Sequence, residues 1–214
     1  MKYSEMDIKP PVAVVFDWCN TIVRTDGIDL EILQEVMKSM QCDHIELSGI
    51  PHSKIEGYLA GVLGTQWKKA AEKYEGILRT RKNVPGPLPN DNVPELLEFL
   101  HKKNISMAIV SNKQGARLRS EVQSLGLSKY FAAVLGAGDT VESKPSPEPV
   151  FAALEVIGVP PSNRVFFVGD STTDIESARR AQCCPIAYDN ASIKGVLSFS
   201  NFRDFGDFVA GLLG

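Results

Sequence analysis

Four places in the chain set a residue able to handle a metal ion or a phosphate at the end of an apolar run. VVFD closes on Asp17, AIVSN on Ser111, and RVFFVGD on Asp170, while Lys144 lies in the loop ESKPSP that follows YFAAVL. Asp17 and Asp170 cannot both stay ionised in one site without a cation. Hard oxygen donors at an open edge suit Mg²⁺, which keeps several waters and accepts substrate phosphate oxygens. Lys144 adds positive charge against a phosphoryl group, and the Ser111 hydroxyl with the backbone N–H groups of Asn112 and Lys113 can donate to its oxygens. Asp17 is then the nucleophile: a carboxylate is ionised at neutral pH, needs no base to activate it, and can form an acyl phosphate that water cleaves. Taken singly, each residue has a plainer reading as a turn, cap or helix start. Their joint placement carries the argument.

That placement requires a parallel sheet. PVAVVF (11–16), ISMAIV (105–110), YFAAVL (130–135), RVFFVG (164–169) and PIAY (185–188) are short and continuously apolar, as strands covered on both faces should be. Helical patterns separate them: NVPELLEFLHKK, with Asn92 as N-cap and Leu96, Leu97 and Leu100 on one face; GARLRSEVQSLG, closed by Gly126; then PEPVFAALEVIG, TDIESARRA and FRDFGDFVAGLL. The alternation predicts an α/β fold, a three-layer doubly wound parallel sheet with right-handed crossovers. Ligands bind outside the carboxyl ends of such strands, where all four groups converge.

From about Thr25 the rhythm changes. DLEILQEVMKSM, SKIEGYLAGVLG (Ser53 and Glu56 at capping-box spacing) and TQWKKAAEKYEGILR follow one another with no convincing strand before Pro89. We read residues 25–88 as an inserted all-helical cap domain, returning through the stiff linker NVPGPLP to an α/β core domain of residues 1–24 and 89–214.

The bulk numbers limit the partners. The chain has 214 residues, 43% hydrophobic and 23% charged, with net charge −3; that is a globular composition with no basic field to gather nucleic acid or anionic lipid. No apolar run reaches the roughly 18 residues a membrane-spanning helix needs, and the N-terminus lacks the layout of a signal peptide. Four unframed cysteines fit a reducing compartment. The expectation is a cytoplasmic protein, monomer or homodimer, with no nucleic-acid or membrane partner.

In order and spacing, FDWCNT, VSN, the Lys144–Pro145 pair and GDSTTD resemble the four motifs of the haloacid dehalogenase (HAD) superfamily, a Rossmannoid fold, in its capped phosphatase branch. LRSEVQSLGL through KPSPEPVFAAL looks most like phosphoglycolate-phosphatase-type members, which implies a small phosphorylated metabolite as substrate. The resemblance also implies metal ligation by the Asp17 carboxylate, the Cys19 backbone carbonyl and Asp170, with Asp174 either binding through water or holding the ligands in place. Arg24, Lys54, Tyr58 and Trp67 stand where cap residues would meet substrate, though the helical spacing of Tyr58 and Trp67 favours cap core.

Position 19 departs from the pattern. Capped phosphatases place an Asp there to protonate the leaving alcohol and then to activate water, help worth about 10² to 10⁴ in rate; this chain has Cys19. Three readings follow: a slow or leaving-group-selective phosphohydrolase, a phosphate-ligand-binding protein that has lost turnover, and a redox-sensitive member acting through Cys19.

Overall fold

The computed structural model describes residues 8–24, 28–47, 52–80 and 87–214. Its contacts divide the chain into two compact units, one of Met1–Arg24 with Leu88–Gly214 and one of Thr25–Pro87.

The first unit is a six-stranded parallel sheet. β1 (Ala13–Phe16) lies between β4 (Ser106–Gln114) and β6 (Val165–Gly169); β5 (Ala133–Ala137) lies beyond β4, and β7 (Cys184–Tyr188) and β8 (Leu197–Phe199) lie beyond β6. Successive residues of each strand point to opposite faces. Val14, Phe16, Met107, Ile109, Phe166 and Val168 therefore meet α4 (Val93–Lys102), α5 (Gly115–Ser124) and α8 (Phe202–Leu213) on one side. Ala13, Val15, Ala108, Val110, Val165 and Phe167 meet α6 (Glu148–Ile157) and α7 (Thr172–Arg180) on the other. Covering both faces is why these strands read as unbroken apolar runs. Phe16, fully buried with edge-on contacts to Phe131 and Phe202, is a position where truncation to Ala should cost about 3–5 kcal/mol.

The strand order reverses at β1, which places the topological switch point where Asp17 leaves the sheet. At the boundary between the units, β2 (Val23–Arg24) and β3 (Leu88–Pro89) form a short antiparallel pair. Asn90 secures it, its amide donating to the Thr21 carbonyl at 2.6 Å and its backbone N–H to the Ile22 carbonyl at 2.9 Å.

The second unit contains α1 (Ile28–Ser39), α2 (His52–Leu63) and α3 (Trp67–Thr80), the last entered through a 3₁₀ turn over Gly64–Gln66. Ile32, Val36, Met37, Leu59 and Ala70 form its own core, with Trp67 packed against it. Tyr58 is instead 40% exposed, against its assignment to cap core. The side chains of Ser53, Lys54 and Glu56 and the linker at 83–86 lie outside the described residues. Among the described residues, no helix is long and apolar enough to cross a membrane.

Three details differ from the sequence reading. Asn92 sits at the N-cap of α4 but in the left-handed region (φ 63°), and its side chain makes no cap hydrogen bond; side-chain capping needs an extended N-cap. Leu88–Pro89 pair as a strand where only helix and linker were expected. β8 is an additional sheet strand, three residues long and so too brief to show a period.

Candidate active site

Each polar residue at the sheet edge is fixed by local chain geometry before its side chain does anything. Asp17 is the first residue past β1, and its N–H still donates to the Val168 carbonyl of β6 at 2.9 Å. Asp170 follows β6, its own carbonyl held by the Asn190 amide at 2.7 Å. Asp174 occupies the first turn of α7 in a capping box with Ser171, an arrangement that satisfies two otherwise orphaned N–H groups. A side chain at Gly169 would overlap the Asp174 carboxylate, so this approach needs glycine.

Lys144 gathers the cluster. Its ammonium donates to Asp17 Oδ1 at 2.6 Å, to Asp174 Oδ1 at 2.6 Å and to the Val110 carbonyl at 2.8 Å. An ammonium has three donors, so the protein itself uses all of them. The loop that carries Lys144 is tied down in turn: the Asn112 amide donates to the Lys144 carbonyl at 3.0 Å, Ser177 Oγ to the Ser146 carbonyl at 2.7 Å, and Arg180 to the Pro145 carbonyl at 3.2 Å. Asp174 is equally committed. Its second oxygen accepts from the Ser171 N–H at 3.0 Å and the Ser171 hydroxyl at 2.5 Å.

Ser111 is buried within β4, which runs on to Gln114 with a register shift after Val110 instead of ending before Ser111 as the apolar run implied, and its Oγ accepts a long 3.3 Å bond from the Lys113 N–H. Arg24 is engaged elsewhere, its guanidinium 3.6 Å from Asp91. The half-buried Cys19 packs against the apolar core under the sheet. One oxygen each of Asp17, Asp170 and Asp174 lie within 4.8 Å of one another, a group that does not include the Cys19 sulfur.

Two carboxylates thus share one ammonium with a third close by, and the electrostatics register the imbalance. Burial, reinforced by repulsion from Asp174, holds the Asp17 carboxyl above its ordinary range even against the opposing pull of Lys144. Burial and then repulsion from Asp17 and Asp174 push Asp170 up to about 7. Burial alone would lower the Lys144 pKa, yet the two flanking carboxylates outweigh it and keep the lysine charged. Surplus negative charge on hard oxygens suits a divalent cation. The donor set therefore fits a hard metal ion of that charge.

A family model for haloacid dehalogenase-like hydrolases matches residues 14–188. The chain belongs to that family. A HAD-superfamily hydrolase from Ehrlichia chaffeensis, known from its crystal structure, is 45% identical and superposes with a TM-score of 0.73 over 96% of this chain and 99% of its own. The phosphoglycolate phosphatase of Neisseria meningitidis is 28% identical over 193 residues, 81% of this chain and 78% of that protein. The Salmonella typhimurium phosphoglycolate phosphatase is 33% identical over 116 residues, 54% of this chain, and the chain spans 44% of its length.

Several residues that hold this HAD site escaped the sequence reading. Asn90, Asn190, Ser177 and Arg180 act through backbone carbonyls, a role no residue type announces. Gly169 had a signal, its place immediately before Asp170 at a strand end.

Proposed function

We propose that the protein is a Mg²⁺-dependent phosphohydrolase that cleaves a small phosphorylated metabolite through an aspartyl-phosphate on Asp17. The observation that carries this reading is the cluster of buried Asp17 and Asp174 on one saturated lysine with half-buried Asp170 beside them, a site with negative charge left over for a cation. The names of the Salmonella and Neisseria relatives support phosphoglycolate or a compound like it as the substrate class.

In the proposed reaction a carboxylate oxygen of Asp17 attacks phosphorus, and the bond from phosphorus to the leaving oxygen breaks with its electron pair going to that oxygen. Water then attacks the phosphorus of the acyl phosphate, releasing orthophosphate and restoring the carboxylate. Magnesium, held by Asp17, Asp170 and the Cys19 carbonyl, would supply charge neutralisation between nucleophile and phosphoryl oxygens. Lys144 opposes protonation of Asp17 and aims its carboxylate, and Asp174 holds Lys144 in place. Ser111 and the Asn112 N–H donate to the phosphoryl group. The helical unit serves as the cap that chooses the substrate.

Cys19 sets the rate. A thiol is a weak donor, so the leaving group must depart with little protonation. Aryl and acyl phosphates are then the expected fast substrates, and an alkyl phosphate such as phosphoglycolate a slow one. The same observation favours a second reading, a phosphate-binding protein with turnover lost. Hydrolysis of para-nitrophenyl phosphate decides between them: we expect slow, Mg²⁺-dependent turnover that Asp17→Asn abolishes, and complete inactivity of the parent on aryl and acyl phosphates would favour binding alone.

A further inference from the structure

A second charged cluster joins two of the motif loops without entering the carboxylate centre. Glu121, in the second turn of α5, accepts from the Trp18 indole N–H at 2.8 Å. It also takes both of its bonds from the Lys113 ammonium, at 2.9 and 2.7 Å, and a further one from Arg117 Nε at 3.0 Å. Glu121 and Lys113 are each only 11% exposed, and Trp18 is fully buried. A charge-assisted carboxylate that serves three donors in so dry a setting is stiff.

The three donors do not come from one place. Trp18 follows Asp17 directly, and its backbone N–H bonds the Asp17 carboxylate. Lys113 stands two residues past Ser111, and its N–H bonds the Ser111 hydroxyl. Glu121 is 103 residues from Trp18 along the chain. One carboxylate therefore fixes the turn that bears the nucleophile against the stretch of β4 that bears Ser111. A helix interior needs no such residue, and core packing would be served as well by a leucine there.

We propose that Glu121 is a positioning residue for the phosphoryl transfer, holding Asp17 and Ser111 in mutual register through Trp18 and Lys113. The inference rests on the phosphohydrolase reading for its kinetic consequence, but the linkage itself does not depend on turnover. Misplacing reacting groups by about 1 Å can cost on the order of 10² in rate. Loss of the carboxylate should therefore lower kcat with little change in KM.

The test uses the full chain, Mg²⁺ and para-nitrophenyl phosphate, with Glu121→Gln, an isostere, and the milder Trp18→Phe and Lys113→Met. Glu121→Gln should lower kcat about tenfold or more while KM moves less than twofold. Trp18→Phe and Lys113→Met should be non-additive in the parent and additive once Glu121 is Gln. A purely structural glutamate would lower the melting temperature and leave kcat in place, which would overturn the proposal. A second measurement dispenses with turnover. The chain has two tryptophans, so a Trp67→Phe background leaves Trp18 as the sole indole. Its emission should shift on Lys113→Met, and this shift should vanish when Glu121 is Gln. If the parent hydrolyses nothing, the phosphohydrolase reading fails, and the emission series still decides the linkage: coupled shifts uphold it, independent ones end it.

Discussion

Two charged clusters lie at the same sheet edge with opposite balances. Around Lys144, two carboxylates bind one ammonium and a third, Asp170, lies beside them; around Glu121, one carboxylate meets Lys113, Arg117 and an indole N–H. The first is left with unneutralised acid, which adds to burial, the larger cause, in raising the Asp17 and Asp170 carboxyls above their ordinary range. The second is left with surplus positive charge. An acid-rich pocket calls for a cation before it can work, whereas a base-rich brace is complete as folded and adds attraction for an anion beside it. Proximity to the same strand ends thus yields a reactive centre in one case and a scaffold in the other, according to which charge is in excess.

The largest effect that would break this contrast is removal of Lys144. Lys144→Met leaves Asp17 and Asp174 buried without their counter-ion, and loss of one partner of a buried pair costs about 3–5 kcal/mol. Denaturant unfolding without metal should register that loss, and saturating Mg²⁺ should recover part of it. If Lys113→Met in the brace destabilises as much, the distinction between the clusters fails.

Next comes the acid. Cys19→Asp should raise turnover of alkyl phosphates about a hundredfold, with a smaller gain on para-nitrophenyl phosphate, whose leaving group needs no proton. Equal gains on both would show that Cys19 limits something other than leaving-group protonation.

Smaller still is the pH dependence of the metal-free protein. Asp170 titrates at about 7 when folded against an ordinary 3.8, so the native state binds its proton more tightly. That contribution to stability is present below pH 4 and is lost as pH rises through 7. The melting temperature should decline across this window in the parent more than in Asp170→Asn, and Mg²⁺ should offset the decline above pH 7. A parent and variant with parallel profiles would remove the charge-surplus argument.

The smallest effect is at the surface. Arg119, by a bidentate pair at 2.6 and 3.1 Å, holds Asp139 below the ordinary carboxylate range. A depressed pKa contributes stability above about pH 4 that disappears as pH falls through the folded value. Arg119 is half exposed, so solvent screening keeps the loss from Asp139→Asn below about 1 kcal/mol. A larger loss in thermal unfolding at neutral pH would mean that the Gly136 N–H it also accepts matters more than the ion pair.

The sheet was legible because burial on both faces writes unbroken apolar runs into strands, and PVAVVF, RVFFVG and PIAY carry that mark. β8 did not, being three residues long, and the β2–β3 pair is shorter still. Asp17, Lys144 and Asp170 could be picked out because each directly follows a strand or lies in the loop beyond one, and Ser111 because the apolar run of β4 stops at it although the strand does not. Asn90 and Asn190 could not, since an amide reaching for a carbonyl looks like any other loop asparagine.

What the chain determined by itself was therefore the list of reactive groups and the edge to which they are delivered, because strand period and connection order are local properties. Which donors are already spent was decided only by the fold: Lys144 gives all three of its hydrogens to the protein, Asp174 commits both oxygens, and Glu121 reaches across 103 residues to Trp18. Hydrogen bonds and buried charge depend on distances of a fraction of an ångström between remote segments, and no spacing along a chain encodes those.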